Sequence, residues 1–309
     1  MKIVFAGTPQ FAVAPLKTLI SAGFEVASVL TQPDKPQGRK QILTPSPVKL
    51  AAQEAGIPVL QPAKLKEDFS ALASVGADVM VTCAYGQILT QAVLDIFPKG
   101  VWNVHASLLP AYRGAAPIPR AIIEGETETG VTIMKTDVGL DTGDILFSRA
   151  IPIAETETCG TLSEKLSALG AEAIVQAVRQ IAQGNVTLTP QGEGFVCKKV
   201  QKQAVDFSRS AKEVSRLIRG LSPSPLAYGK IGDTLLHFYG AEALPWAGAE
   251  ACGAVLSDSP KTGLIVKCGT GAVKITELQP AGGKRMPASA FLNGKKLAKG
   301  ACFEKQPVL

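Results

Sequence analysis

Residues 2–30 read Lys2-Ile-Val-Phe-Ala-Gly-Thr-Pro-Gln-Phe-Ala-Val-Ala-Pro-Leu-Lys-Thr-Leu-Ile-Ser-Ala-Gly-Phe-Glu-Val-Ala-Ser-Val-Leu30. Lys2 to Ala6 is an apolar run of the buried-strand type. Gly7 to Gln10 turns the chain, and Phe11 to Ala22 has helical character closed by Gly23. Glu25 to Leu30 is a second strand. Strand, turn, helix and strand in this order open a doubly wound, mostly parallel α/β sheet of the Rossmann-like kind. The turn holds a single glycine, so the GxGxxG fingerprint is missing and no nicotinamide cofactor is expected.

Working outward, the α/β alternation continues. Helices are predicted over 48–55, 71–76 and 115–123, with a helical turn over 91–96. Strands are predicted over 58–61, 78–84, 130–135 and 145–153. A long amphipathic helix over 161–183 carries Leu162, Leu166, Leu169, Ile174 and Val178 on its apolar side, and Gly184 breaks it. Residues 185–204 are rich in Gln, Gly and Lys and read as a linker. Beyond them the character changes to one helix over 210–221 and then short strands at 227–231, 234–239, 253–256, 263–267 and 271–279. Closely spaced short strands between Gly-rich turns predict a small β-barrel of the OB kind. The expected organisation is a Rossmann-like domain over 1–184, a linker over 185–204 and a β-barrel domain over 205–309.

The chain has 309 residues, 46% of them hydrophobic and 19% charged, the balance of a folded protein with a sizeable core. No run of eighteen apolar residues suggests a membrane span, and the opening apolar run is too short for a signal peptide. Six scattered cysteines without CxxC spacing suggest neither zinc nor a disulfide framework, and a reducing cytoplasm is the expected compartment. A monomer without a bound metal is expected. The net charge of +6 is uneven: residues 1–185 carry −2 and residues 186–309 carry +8. A basic excess confined to one part points to a polyanion partner there, against the alternative of a solvated basic surface. The stretch from Thr31 to Pro47 has four prolines and the cations Lys35, Arg39 and Lys40. It reads as an irregular basic loop beside the end of the second strand, of a length that is usually functional.

The chemistry centres on Trp102-Asn-Val-His105-Ala-Ser107-Leu-Leu-Pro110-Ala-Tyr-Arg-Gly114. Asn103 and His105 are two residues apart, so on a strand they project from one face. Pro110 and Gly114 end the strand in a loop, where α/β sheets place their chemistry. A lone histidine is more often a satisfied core residue, but this one has an amide beside it and an Arg-bearing loop after it. An imidazole paired with a carboxylate can act as a general base, and an adjacent amide N–H can hold a developing oxyanion. That combination suits attack on an acyl carbon. The carboxylate can come from the loop Asp137-Val-Gly-Leu-Asp141-Thr-Gly-Asp144, and spacing alone does not choose among its three aspartates. The calcium-loop pattern DxDxDG is absent, as is a Gly-x-Ser-x-Gly elbow for a covalent nucleophile.

Asn103-x-His105-x-Ser107-Leu-Leu-Pro110 with a downstream Asp141 resembles the folate-dependent formyltransferases. Phe5-Ala-Gly-Thr-Pro-x-Phe11, Thr31-Gln-Pro-Asp-x-Pro-x-Gly-Arg39, Pro45-Ser-Pro-Val-Lys49, Leu108 to Ile118, Glu128 to Met134 and Phe291-Leu-Asn-Gly294 extend the resemblance over the whole chain. It implies 10-formyltetrahydrofolate as co-substrate and, as partner, initiator tRNA carrying methionine whose α-amine is formylated for translation initiation. It implies that Asn103, His105 and Asp141 form the catalytic triad. Tyr85, Gly86, Gln87 and Ile88 would form one wall of the folate site, and Ser107, Leu108, Leu109 and Pro110 another. Phe11 falls near the expected methionyl pocket, Arg39 on a loop that enters the tRNA acceptor end, and the C-terminal barrel on a tRNA-binding domain. The Arg39-Lys40-Gln41-Ile42 segment carries fewer cations than the family pattern, and Ser222-Pro-Ser-Pro225 lacks its following aromatic residue. The rival expectations are a formyltransferase for a small amine, such as glycinamide ribonucleotide or an amino-sugar nucleotide, and a nucleic-acid-binding module with an inactive α/β domain.

Overall fold

The computed structural model describes residues 1–38, 41–294 and 297–305. Contacts divide the chain into two compact units. The first comprises Met1–Ala115, Thr129–Ile151 and Ser163–Cys197; the second comprises Ala116–Glu128, Pro152–Leu162 and the chain from Lys198 onward. No helix among the described residues is long and apolar enough to cross a membrane.

The first unit is built on a seven-stranded sheet of β1 (Lys2–Gly7), β2 (Glu25–Leu30), β3 (Val59–Leu60), β4 (Val79–Cys83), β5 (Val101–His105), β6 (Glu128–Lys135) and β7 (Ile145–Pro152). The strand order is β7-β6-β5-β4-β1-β2-β3. The pairs β1–β2, β2–β3, β1–β4 and β4–β5 are parallel, and β5–β6 is antiparallel. Burial on both faces explains the continuous apolar runs: Ile3, Val4, Phe5, Ala6, Val79, Met80 and Val81 are fully buried. The chain leaves β1 toward β2 and β3 and returns to β4 on the other side, which makes the β1–β4 junction the topological switch point. There Gly7 faces Cys83, and a Cβ on Gly7 would lie 2.8 Å from the Ala12 Cβ and 3.0 Å from the Cys83 carbonyl oxygen. The long helix Cys159–Gln183 buries Leu162, Leu166, Ile174 and Val178.

The stretch from Thr31 to Pro47 is more ordered than its prolines suggest. Lys35–Gln37 pairs with Ile42–Thr44 as a short antiparallel hairpin. Pro47 opens the next helix, Pro47–Glu54, where its missing N–H costs nothing, and Ser46 Oγ caps it by accepting from the Lys49 amide at 3.0 Å. Arg39 and Lys40 lie outside the described residues.

In the second unit a seven-stranded sheet runs in the order Gln203–Ala204, Ala227–Ile231, Thr234–Leu244, Ala272–Pro280, Leu264–Lys267 and Val255–Ser257, with Met286–Pro287 added on Ala272–Pro280. The recorded pairing is an open path, with a parallel first pair and antiparallel pairs thereafter. Its core holds Phe207, Phe238 and Phe303, whose ring centroids lie 5.1 to 6.5 Å apart. The helix Ala211–Gly220 covers that core, opened by a capping box in which Ser210 and Glu213 bond each other's backbone amides. The helix Pro117–Glu124 packs on it so closely that a Cβ on Gly220 would sit 2.5 Å from Ile123 Cγ1.

The segment read as a linker carries structure of its own. Val196–Cys197 pairs in parallel with Arg113–Gly114, and Gln203–Ala204 with Ala227–Tyr228.

Candidate active site

β5 delivers Asn103 and His105 from one face of the sheet, at the carboxyl ends of the parallel strands and one strand beyond the switch point. Its neighbours fix both side chains. Thr82, the register partner of Asn103 on β4, donates its hydroxyl to Asn103 Oδ1 at 3.0 Å. The amide is therefore oriented with Nδ2 turned away from β4, toward Asp141 Oδ1 at 3.3 Å. His105 is buried, with its side chain 6% exposed. Its Nε2 lies 2.9 Å from the Tyr112 carbonyl, which can only accept, so Nε2 carries a hydrogen in that contact. Its Nδ1 faces Asp141 Oδ2 at 3.6 Å.

Asp141 completes the cluster from a loop. Its backbone is left-handed, with φ of +52°, a region that non-glycine residues seldom occupy. Its Oδ2 accepts from the Gly114 amide at 2.8 Å. The other two aspartates of the loop are turned elsewhere. Asp137 accepts from the Thr142 hydroxyl and the Gly139 amide, while Asp144 is exposed. Geometry thus chooses among the three carboxylates where spacing did not. Gly143 is required between them, because a Cβ there would lie 1.8 Å from the Lys135 carbonyl oxygen.

Around this cluster the expected co-substrate residues divide by role. Tyr85 is buried among Val4, Ala6, Leu30 and Leu65; burial pushes its phenol up to about 12. Its hydroxyl has no hydrogen-bond partner, and its carbonyl accepts from the Thr8 hydroxyl at 2.8 Å. Gln87 is also committed to the fold: its Oε1 accepts from the Leu65 amide and its Nε2 donates to the Pro62 carbonyl. Gly86 and Ile88 are exposed, Ile88 at 78%. Ser107 donates to the Ala111 carbonyl at 2.7 Å, and the Leu109 amide donates to the Thr132 hydroxyl. The Leu109–Pro110 peptide is cis, and Leu108 and Pro110 are partly exposed. Phe11 lies in the turn of 3₁₀ helix Gln10–Ala12 at the head of the first helix, where its carbonyl accepts from Ser167 at 2.7 Å. Arg39 lies outside the described residues, so its expected position is not drawn.

Sequence reasoning overlooked three groups that hold the cluster, Thr82, the Gly114 amide and Gln191, and noted Arg113 only as part of the loop after His105. Thr82 carried a usable signal, since parallel in-register pairing of β4 with β5 places a hydroxyl beside Asn103. Gln191 carried none, because a glutamine that bonds backbone carbonyls belongs to no spacing pattern.

Residues 1–178 match the family described as Formyl transferase, and residues 198–296 match the Formyl transferase C-terminal domain. The chain belongs to the formyl transferase family. Two relatives, from Janthinobacterium sp. (strain Marseille) and Chromobacterium violaceum, are each named methionyl-tRNA formyltransferase. The first is 45% identical over 95% of this chain and 97% of its own length. The second is 47% identical over 97% and 98%. Among solved structures, the sugar 3N-formyl transferase WlaRD has a TM-score of 0.64 at 20% identity, covering 88% of this chain and 96% of that one. HypX from Aquifex aeolicus has a TM-score of 0.67 at 18% identity over 94% of this chain, which spans only 48% of the HypX chain. At these identities the two structures bear on the fold alone.

Proposed function

We propose that this chain transfers the formyl group of 10-formyltetrahydrofolate to the α-amine of methionyl-tRNA, the initiator species. The observation that carries the proposal is the near full-length similarity, at 45–47% identity, to relatives named for that activity. The convergence of an amide and an imidazole on one carboxylate, at 3.3 and 3.6 Å, supports it. The exposed Ile88 and partly exposed Leu108 offer apolar surface, and Gly86 offers open backbone, to the flat ring system of a folate.

When bound, the folate supplies an activated formyl carbon. Asn103 Nδ2 has a second hydrogen beyond the one directed at Asp141, and it donates that hydrogen to the formyl oxygen as negative charge develops. With Nε2 donating to the Tyr112 carbonyl, His105 Nδ1 is the nitrogen that takes a proton from the attacking amine and returns it to the departing nitrogen. Asp141 orients the His105 ring and balances its charge when protonated. Holding both substrates in reach of one another is a further large part of the rate. Phe11 contacts the methionyl side chain, Arg39 contacts the acceptor end, and the basic residues beyond 185 bind the tRNA backbone.

The test is direct: the purified protein, 10-formyltetrahydrofolate and methionine-charged initiator tRNA are mixed, and formyl-methionine is released and quantified. Formylation of the charged tRNA is expected. Transfer only to glycinamide ribonucleotide or to an amino-sugar nucleotide would overturn the proposal.

A further inference from the structure

Asp141 holds a carboxylate toward two partners from a left-handed backbone position that is itself unfavourable for a non-glycine residue. Something has to hold that loop. Gln191, in the segment that follows the long helix, does so. Its Nε2 donates to the carbonyl of Asp141 at 3.0 Å and to the carbonyl of Gly143 at 2.6 Å. Its Oε1 accepts from Arg113 Nε at 3.1 Å and from Arg113 Nη2 at 2.9 Å. The assignment of the two amide atoms is forced, because a guanidinium only donates and backbone carbonyls only accept. Gln191 thus has both its N–H groups and its oxygen engaged.

Arg113 immediately precedes Gly114, whose amide holds Asp141 Oδ2. The connections close a ring that runs from the Asp141 carboxylate to the Gly114 amide, through the Arg113 side chain to Gln191, and back to the Asp141 carbonyl. The segment bearing Gln191 is itself anchored on both sides. Thr189 bridges to Ile145, and the Arg113 amide donates to the Phe195 carbonyl at 3.1 Å.

The geometry points to Gln191, relayed by Arg113, as the positioning residue that sets the aim of the Asp141 carboxylate at His105 and Asn103. The inference rests on the proposed function for its catalytic consequence, since neither Gln191 nor Arg113 touches the triad side chains. It needs a residue that presents two hydrogens and one acceptor together. Glutamate would keep the Arg113 contact and strengthen its charge, yet lose both donations to the loop.

The experiment has two arms. Amide hydrogen exchange at Gly114 is compared among the wild type, Gln191→Ala and Gln191→Glu, with amides of β1 as the control for folding. Exchange at Gly114 is expected to quicken at least about tenfold in both variants while β1 is unchanged; unchanged Gly114 exchange overturns the inference. This arm reads the ring directly and does not depend on which amine is formylated. In the second arm, kcat for formyl transfer is measured for Gln191→Ala, Asp141→Ala and the double variant. Gln191→Ala alone is expected to lower kcat about tenfold with KM for folate unchanged, and to cost nothing further in the Asp141→Ala background. An equal cost in both backgrounds would show a role in general stability and overturn the inference. Absence of transfer to methionyl-tRNA by the wild type would sink the proposed function, leaving the exchange arm to decide the ring.

Discussion

At the residue scale, the site is an arrangement of donors and acceptors with little slack. Thr82 commits Asn103 Oδ1, Tyr112 commits His105 Nε2, and Gly114 commits Asp141 Oδ2. Replacing Asn103, His105 or Asp141 by alanine is expected to lower turnover by about 10²-fold or more, read as initial rates of formyl-methionyl-tRNA formation. Near-normal rates in all three variants would remove the triad assignment. Gly143→Ala is expected to act on the same step without touching substrate, because its methyl must displace the Lys135 carbonyl or move the Asp141 loop. A fall in kcat with β1 amide protection intact would be the signature. His237, in the second unit, gives a pH-dependent prediction. Burial, and then the Lys202 ammonium, hold its imidazole below the ordinary value of 6.5. A histidine depressed in the folded state contributes stability above the unfolded value, and loses it as the pH falls through the folded value. Between pH 7 and pH 5 the wild type is therefore expected to lose more stability than His237→Gln, followed by Trp246 fluorescence in a Trp102→Phe background.

At the element scale, local sequence rules carry most of the fold. Ser210 with Glu213 three residues on marks the start of the Ala211–Gly220 helix, and Ser46-Pro47 marks another. Ser210→Ala is expected to destabilise the second unit by about 1 kcal/mol, as a lower denaturant midpoint of the Trp246 transition. The strand-and-turn opening at Lys2–Leu30 was legible because parallel strands buried on both faces must be continuously apolar. The pairing of Asn103 with His105 was legible because a strand has a period of two. The choice of Asp141 was not, since a loop has no period; the resemblance made it, and in the structure Asp141 is the aspartate of that loop whose carboxylate faces His105 and Asn103. The hairpin within residues 35–44 was hidden by Pro36, which sits opposite Leu43 in a two-stranded pair where a missing N–H is tolerated, and by the prolines that flank it. Residues 185–204 looked like plain linker because polar composition says nothing about what a side chain will bond. There Gln191 and the two-residue strand Val196–Cys197 attach to the region of the site.

At the scale of the whole molecule, the charge of the chain is its most visible statement about a partner. The excess of +8 beyond residue 185 predicts phosphate neutralisation there. Binding of methionyl-tRNA is expected to weaken steeply with salt, with a log–log slope of about −0.9 for each phosphate neutralised. A flat response between 50 and 200 mM salt, on the order of conditions where such contacts lose most of their affinity, would count against the tRNA reading. The path of the chain has a different consequence, one that concerns synthesis. The helix Pro117–Glu124 packs on the helix Ala211–Gly220, which leaves the ribosome about 90 residues later, a wait on the order of 5–20 s at ordinary rates of elongation. Once Pro152 has been made, the sheet that carries the site has all seven strands, while Ile123, which packs against the core of the second unit in the finished protein, still lacks its partner. Nascent chains arrested before residue 204 should be cleaved readily by protease between 116 and 128, and full-length chains should resist. The newborn enzyme thus passes through a stage in which one face of a helix in its middle waits for a partner that has not yet been made.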